Sequence, residues 1–239
     1  MPDPSRHAAD LAPTGTLRAS INLGNPVLAQ GTPEAPSGVT VDIARELARR
    51  LGVPVSFQCF DAARKSFEAL RTGAADVAFL AVEPARAAEV EFTAPYVLIE
   101  GVYAVAADSP IRTADDVDRP GVRVGVKEGS AYDLFLTRTL EKAEVVRGTD
   151  GIDVFRELGL EAAAGIRQPL SRHVAADPGL RLVEPRFMQI RQAVAIARDH
   201  QPATVSFLHD LVEDMKSSGA IAESLARSGQ DASIAPPAP

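Results

Sequence analysis

Between Leu17 and Arg227, short β-type runs alternate with helix-type runs, and this alternation limits the possible folds more than any other property of the chain. Apolar strands joined through helices come back parallel to one another. The chain is therefore read as an α/β protein, with a mostly parallel sheet flanked by helices on both faces. Strand candidates are Leu17–Ile21, Val55–Phe57, Asp76–Ala81, Val102–Ala106, Val122–Val126, Glu144–Val146, Ala162–Ile166 and Ala193–Ala197, with Leu180–Val183 extended. The clearest helix is Val41–Leu51. Its Ile43, Ala44, Leu47, Ala48 and Leu51 fall on one face, and Gly52 with Pro54 just beyond stops it. Shorter helices are read at 66–72, 113–117, 129–140, 152–158, 169 onward, 202–216 and 220–227. A length of 239 residues leaves room for two lobes. Residues 1–14, polar and Pro-containing, are expected to be a disordered arm, and 231–239 a Pro-rich tail.

Charge and composition remove several function classes. A net charge of −7 disfavours a nucleic-acid partner and leaves no polybasic membrane patch. No run reaches the roughly 18 apolar residues of a membrane span. The one cysteine, Cys59, makes an intramolecular disulfide impossible and cannot complete a zinc site. His7, His173, His200 and His209 have no ligand spacing, and there is no nucleophile elbow, Walker A loop or dinucleotide fingerprint. Neither a metal nor a cofactor is expected. The first residues, M-P-D-P-S-R-H-A-A-D-L-A-P, lack the basic start and apolar run of a secretory signal. Either a leader was removed, or the true start lies elsewhere, or the protein is cytoplasmic.

Chemistry concentrates in two segments. From Ala75 to Tyr96 the chain reads A-D-V-A-F-L-A-V-E-P-A-R-A-A-E-V-E-F-T-A-P-Y, a buried strand followed by Arg86 on a turn. A guanidinium is a planar fork that binds a carboxylate through two parallel hydrogen bonds. On position alone, Arg86 reads rather as a surface side chain paired with Glu83, Glu89 or Glu91. The second segment, V-K-E-G-S-A-Y-D at 126–133, is a strand, a glycine turn and a helix start. Ser130 is placed to cap the helix with Asp133 in an S-x-x-D box, and the amides of that first turn attract an anion.

The first segment resembles the family 3 solute-binding proteins of bacterial ABC importers, in which T-P-E-R, a spacer and V-D-F-S-x-P-Y recur. The resemblance implies a two-lobe periplasmic binding protein-like fold (type II). Residues 15–97 with 192–230 would form lobe 1 and 98–191 lobe 2, the chain crossing near Tyr96–Gly101 and Gln189–Gln192. It implies that Arg86 holds a ligand carboxylate, with Phe79 and Ala81 on the preceding strand and Gly129, Ser130 and Ala131 approaching from the second lobe. Lys127 falls where some members place a cleft lysine. The family's strand-end acidic residue becomes Asn22, and the aspartate that pairs with an α-ammonium has no counterpart at Ile166, Arg167 or Gln168. Asn22, Arg167 and Gln168 complete the binding candidates, Arg167 either as a second cation in the cleft or as a surface ion-pair partner.

The function expected from this resemblance is capture of a small anionic solute by hinge closure and delivery to an ABC permease, as a periplasmic monomer that is not an enzyme. A carboxylate without an obligatory α-ammonium is the expected ligand. Arg86→Ala is expected to remove binding with little loss of fold. The alternatives are an enzyme on the same scaffold, resembling cyclohexadienyl dehydratases with Lys127 and Glu128 as acid/base groups, and a ligand-sensing domain.

Overall fold

In the computed structural model, which describes residues 4–238, the chain divides into two units. Unit 1 takes the chain up to Leu98 and again from Arg191 onward, and unit 2 is Ile99–Ile190.

Unit 1 begins with helix α1 (Pro4–Leu11), strand β1 (Leu17–Asn22), the small hairpin β2 (Gln30–Gly31) and β3 (Pro36–Ser37), and helix α2 (Val39–Leu51). Strand β4 (Val55–Phe60), helix α3 (Ala63–Arg71), strand β5 (Val77–Ala81), the one-turn helix α4 (Pro84–Ala87) and strand β6 (Val90–Phe92) follow. In α2 the apolar face predicted from the 3.6-residue period is the buried face. The helix ends as its sequence demands: Gly52 takes a left-handed φ of 70°, and its N–H and that of Val53 return to the carbonyls of the last turn. β1 lies between β4 and β5, parallel to both, with Ala19 opposite Phe57 and Val77.

Two long strands carry the chain between the units: β7 (Val97–Ala106) outward and β11 (Leu180–Ala197) back. The segments read as an extended 180–183 and a strand at 193–197 are thus two ends of one strand. Between β7 and β11 unit 2 holds strand β8 (Arg123–Lys127), helix α5 (Ala131–Thr139), strand β9 (Glu144–Gly148), helix α6 (Gly151–Leu158), strand β10 (Ala162–Ile166) and helix α7 (Arg167–Ala176). Its strand order is β11-β7-β10-β8-β9, with β8 parallel to both β9 and β10, and β7 antiparallel to β10. Ile152, Val154 and Phe155 of α6 pack with Val102, Ala104 and Ala163 to form its core. In unit 1 the returning end of β11 pairs antiparallel with β5 on one side and β6 on the other. Helices α8 (Pro202–Ser217) and α9 (Ala220–Arg227) and strand β12 (Ser233–Ile234) complete it. Each unit is an α/β arrangement of a mixed sheet with flanking helices, parallel across β4-β1-β5 and across β10-β8-β9, and antiparallel where β11 and β7 join it.

Both chain ends depart from the sequence expectation. Within the supposed arm, residues 1–3 lie outside the described residues, but Pro4–Leu11 is helical. His7 stacks on Phe207 at 4.7 Å and meets the Thr204 hydroxyl at 3.3 Å, and Leu11 is fully buried. Those partners lie some two hundred residues away, so no local pattern announces the helix. At the other end, Ser233–Ile234 pairs with Leu98–Val97 and the Ala235 N–H reaches the Tyr96 carbonyl at 3.1 Å. The Lys216 ammonium donates to the carbonyls of Pro236 (2.8 Å) and Pro95 (3.3 Å), tying the tail to the P-Y step of the motif.

One ionic cluster yields a pH prediction. Glu46 accepts from Arg49 at 2.7 and 2.8 Å and from Arg50 at 2.8 Å, and Arg50 continues to Asp214 of α8 at 2.8 Å. Arg49 first, and then Arg50, hold the Glu46 carboxyl down to about 2, against a smaller opposing effect of burial. A lowered acid stabilises the fold above its ordinary value of 4.5, and that stability is lost as the pH falls towards about 2. Because Arg49 is largely exposed, solvent screening reduces the effect to about 1 kcal/mol. Glu46→Gln is expected to lower the unfolding free energy by that amount at pH 7, with the gap from wild type closing below about pH 4. Urea unfolding at the two pH values checks it; a gap independent of pH would refute it.

Candidate functional site

In unit 1 the candidate residues gather where the parallel strands end. β1 closes at Asn22 and β5 at Ala81, both at carboxyl ends, the edge at which α/β sheets place ligands. Every residue of β5 is buried, as the apolar run V-A-F-L-A requires of a strand covered on both faces. Beyond it Glu83 is the N-cap of α4 in an extended conformation, and Pro84 at the first helical position presets the turn. One turn later comes Arg86.

Arg86 is not the surface arginine that its position alone allows. It is 3 % exposed, and its guanidinium donates to the Ala81 carbonyl at 3.2 Å. Burial lowers it to about 10, against the opposing charge of Glu83. Glu83 is itself 3 % exposed and makes no side-chain hydrogen bond to cap α4. Glu89, one of the other two carboxylates weighed against it, lies 3.9 Å from Arg71.

The F-T-A-P-Y segment is latched to β11. Thr93 exchanges backbone and side-chain bonds with Val194, and the Tyr96 N–H reaches the Gln192 carbonyl at 2.8 Å. Gln192 is the register partner of Ala81, so this latch holds the strand end from which Arg86 hangs. Phe79 and Ala81 share a face of β5 by strand alternation, and the Tyr96 ring meets Phe79 edge-on at 6.4 Å. The Tyr96 hydroxyl is buried with no hydrogen-bond partner among the described residues. An unmet buried hydroxyl costs roughly 1–3 kcal/mol. Tyr96→Phe keeps the ring contact and removes that cost, so a rise of about 1 kcal/mol in unfolding free energy is expected. A loss of stability of that size would show that the hydroxyl is bonded.

Asn22 is turned to a local task. Its side-chain carbonyl accepts the Gly24 N–H at 3.0 Å, closing an Asx turn. Asp42, in the first turn of α2, is engaged by Ser224, Arg45 and, at 2.7 Å, Arg227.

Unit 2 repeats the strand-end arrangement. β8 ends at Lys127 and the parallel β10 at Ile166, so Lys127 and the pair Arg167-Gln168 stand at one edge of the sheet. The predicted cap forms at Ser130, whose hydroxyl accepts the Asp133 N–H at 3.0 Å. The other half of the expected box moves back by one residue. The Asp133 carboxylate takes the Gly129 N–H at 2.8 Å, a bond made possible by the left-handed φ of 68° at Gly129. Arg147 and Thr137 hold the same carboxylate at 3.0–3.1 Å. The Gly129 amide, read from sequence as an anion donor, therefore already serves an internal carboxylate. The N–H of the N-cap Ser130 donates to the Lys127 carbonyl at 3.1 Å, and Ala131 opens the first turn of α5, where helix geometry supplies no intrahelical carbonyl.

Arg167 is tied into an ion-pair network. Its guanidinium bonds Glu100 and Glu184, the latter at 2.7 Å through one nitrogen, and Arg186 bonds Glu100 at 2.9 Å. Glu184 first, and then Glu100, raise its pKa above the ordinary value. Two arginines and two glutamates sum to zero, so Arg167 adds no net positive charge; of its two readings, the structure favours the ion-pair partner. Nothing in the sequence pairs these residues, because Glu100 lies on a strand 67 residues upstream. Gln168 sits half-buried in the first turn of α7. Among the described residues no cluster of three His, Cys, Asp or Glu side chains is placed to hold a metal ion, and no helix is long and apolar enough to cross a membrane.

Solved structures share this fold. A mutant of ArgBP from T. maritima is 22% identical with a TM-score of 0.75, covering 93% of this chain and 99% of that one. The amino acid ABC transporter substrate-binding protein AbpA from Streptococcus pneumoniae, bound to L-arginine, is 16% identical with a TM-score of 0.75, over 91% and 96%. The ancestral amino acid-binding protein AncCDT-1, a precursor of cyclohexadienyl dehydratase, is 22% identical with a TM-score of 0.72, again over 91% and 96%. No curated protein matches the sequence. At these identities the likeness is one of fold. The sequence carries the kinship further, since residues 22–230, which take in the E-P-A-R turn and the F-T-A-P-Y latch, match the model of the bacterial extracellular solute-binding proteins, family 3, and the chain belongs to that family.

Proposed function

We propose that this protein is a receptor for a small carboxylate-bearing solute, which its two units enclose by hinge closure and which it hands to the membrane permease of an ABC importer. The observation that carries the reading is the buried guanidinium of Arg86, fixed by the Ala81 carbonyl at the end of β5. At that strand end the planar fork of a guanidinium suits a ligand carboxylate, which it meets through two parallel charge-assisted bonds. Phe79 and Ala81 flank the anchor, and Ser130, Ala131 and Lys127 are its counterparts in unit 2. Kinship with the family supports the transport role and a site of action outside the cytoplasm.

Thermal unfolding in the presence of amino acids, keto acids and dicarboxylates tests the reading. A ligand bound only by the native state raises its stability by RT ln(1 + [L]/Kd), about 2.7 kcal/mol at a hundredfold excess over Kd. A chain that responds to none of them, or that turns over prephenate or arogenate, does not have this function.

A further inference from the structure

We propose that Lys216 and the chain end from Ser233 to Pro236 are positioning elements of the ligand site, a strap that fixes Pro95–Leu98 and on which tight binding depends. This rests on the receptor reading. From Thr93 to Leu98 every residue is tied to a neighbouring element. Thr93 is bonded to Val194 of β11, and the Ala94 N–H donates to the His209 imidazole at 3.4 Å. The Pro95 carbonyl accepts from Lys216 at 3.3 Å and the Tyr96 carbonyl from the Ala235 N–H at 3.1 Å. Val97 and Leu98 pair with Ile234 and Ser233, and Leu98 is the last residue of unit 1 before the chain crosses. His209, Glu213 and Lys216 stand at i, i+4 and i+7 of α8 and share one face. That face also grips the tail. Lys216 donates to the Pro236 carbonyl at 2.8 Å, and Glu213 meets the Lys216 ammonium at 2.6 Å and the Ala238 N–H at 3.3 Å. The Lys216 side chain is 5% exposed, drawn inward to reach carbonyls rather than left in water.

The tail adds little to the apolar core. Ser233, Ile234 and Pro236 are exposed, and Ala235 alone of the four is buried. A segment that buries one methyl group yet makes several directed bonds restrains the strand it lies on more than it stabilises the fold. What it restrains leads to the site. The Tyr96 peptide is held from both sides, its carbonyl by the tail and its N–H by the Gln192 carbonyl at 2.8 Å. Gln192 is the register partner of Ala81, whose carbonyl accepts from Arg86, and the Tyr96 ring meets Phe79. With the strap undone, the Tyr96 peptide keeps only its bond to β11. A segment in place for about a fifth of the time lowers the apparent affinity about fivefold, because the ligand then has to order it.

The test combines calorimetric titration with fluorine NMR of fluorotyrosine-labelled protein. The chain has three tyrosines, and Tyr103 and Tyr132 lie in unit 2. Tyr96→Phe assigns the Tyr96 signal. Ala235→Pro removes the N–H that reaches Tyr96. The double variant Glu213→Gln, Lys216→Met releases the tail without leaving a lone charge, and Ala235→Ser keeps the N–H as a control. The probes are the standard amino acids, succinate and pyruvate, and circular dichroism establishes that each variant is folded. Ala235→Pro and the double variant should bind the tightest wild-type probe about fivefold more weakly or worse. Both should shift or broaden the Tyr96 signal while those of Tyr103 and Tyr132 stay in place. Ala235→Ser should match wild type in affinity and spectrum. Wild-type affinity in the folded variants, or an unmoved Tyr96 signal, overturns the proposal. So does an equal loss in Ala235→Ser, which would trace the effect to the side chain, and so does failure of both strap variants to fold, which would make the tail a folding element. A wild-type protein that binds none of the probes overturns the receptor reading itself, and the role of the strap with it.

Discussion

Removal of the Arg86 fork is expected to abolish ligand binding. Two charge-assisted hydrogen bonds to a carboxylate contribute roughly 1.5–3 kcal/mol each, so their loss weakens binding by about a hundredfold or more. The simplest variant, Arg86→Ala, does not report this cleanly. It leaves the buried Glu83 without the charge opposite it, and breaking a buried pair from one side costs about 3–5 kcal/mol of stability. The structure therefore replaces the expectation of a harmless truncation. Two variants separate binding from folding. Arg86→Lys keeps the charge facing Glu83 but offers a point ammonium in place of a planar fork, and is expected to stay folded and lose at least tenfold in affinity. The double variant Arg86→Ala, Glu83→Ala removes both charges together, and is expected to fold and to bind nothing measurable. Calorimetry on both decides the matter: wild-type affinity in a folded Arg86→Lys protein would mean that Arg86 is not the anchor.

The largest effect on folding is expected at Gly151. A Cβ there would lie 2.5 Å from the Ala164 carbonyl oxygen and 2.9 Å from that of Gly125, and a Cβ at Gly125 would lie 2.6 Å from the Gly151 oxygen. The first residue of α6 thus packs directly on the backbones of β8 and β10. No flexible side chain can yield, so any substituent must push the helix off the sheet. Ile152, Val154 and Phe155 would move with it out of the unit 2 core. Gly151→Val is expected to cost more than about 4 kcal/mol, the range of severe overpacking with loss of core contacts, and to leave unit 2 unfolded. Gly159→Ala is the control. Gly159 has a left-handed φ of 57° and nothing within 4 Å of its Cβ position, so only the conformational cost of about 1 kcal/mol applies. Urea unfolding of the two variants measures the contrast, and equal losses would refute the packing argument.

Parts of this molecule follow from local sequence and were legible there. The buried face of α2 and its Gly52 stop, the apolar run of β5, the Ser130 cap and the strand–helix alternation all depend on residues within a turn or two of each other. Propensity, period and cap chemistry act over that range, so the α/β class and the position of Arg86 just beyond a strand end could be read directly. The tertiary structure decided what each charged side chain faces. Arg167 is a member of an ion-pair network because Glu100 and Glu184 converge on it from strands distant in sequence. Gly129 gives its amide to Asp133 because of a backbone turn that sequence spacing does not specify. Helix α1, polar along most of its length, exists because Phe207 and Thr204 receive His7. The same holds for Glu83 and Arg86, which read alone as ordinary surface residues. Burial is a sum over everything packed around a side chain, and no local pattern in E-P-A-R shows that both of its charged residues lie out of water.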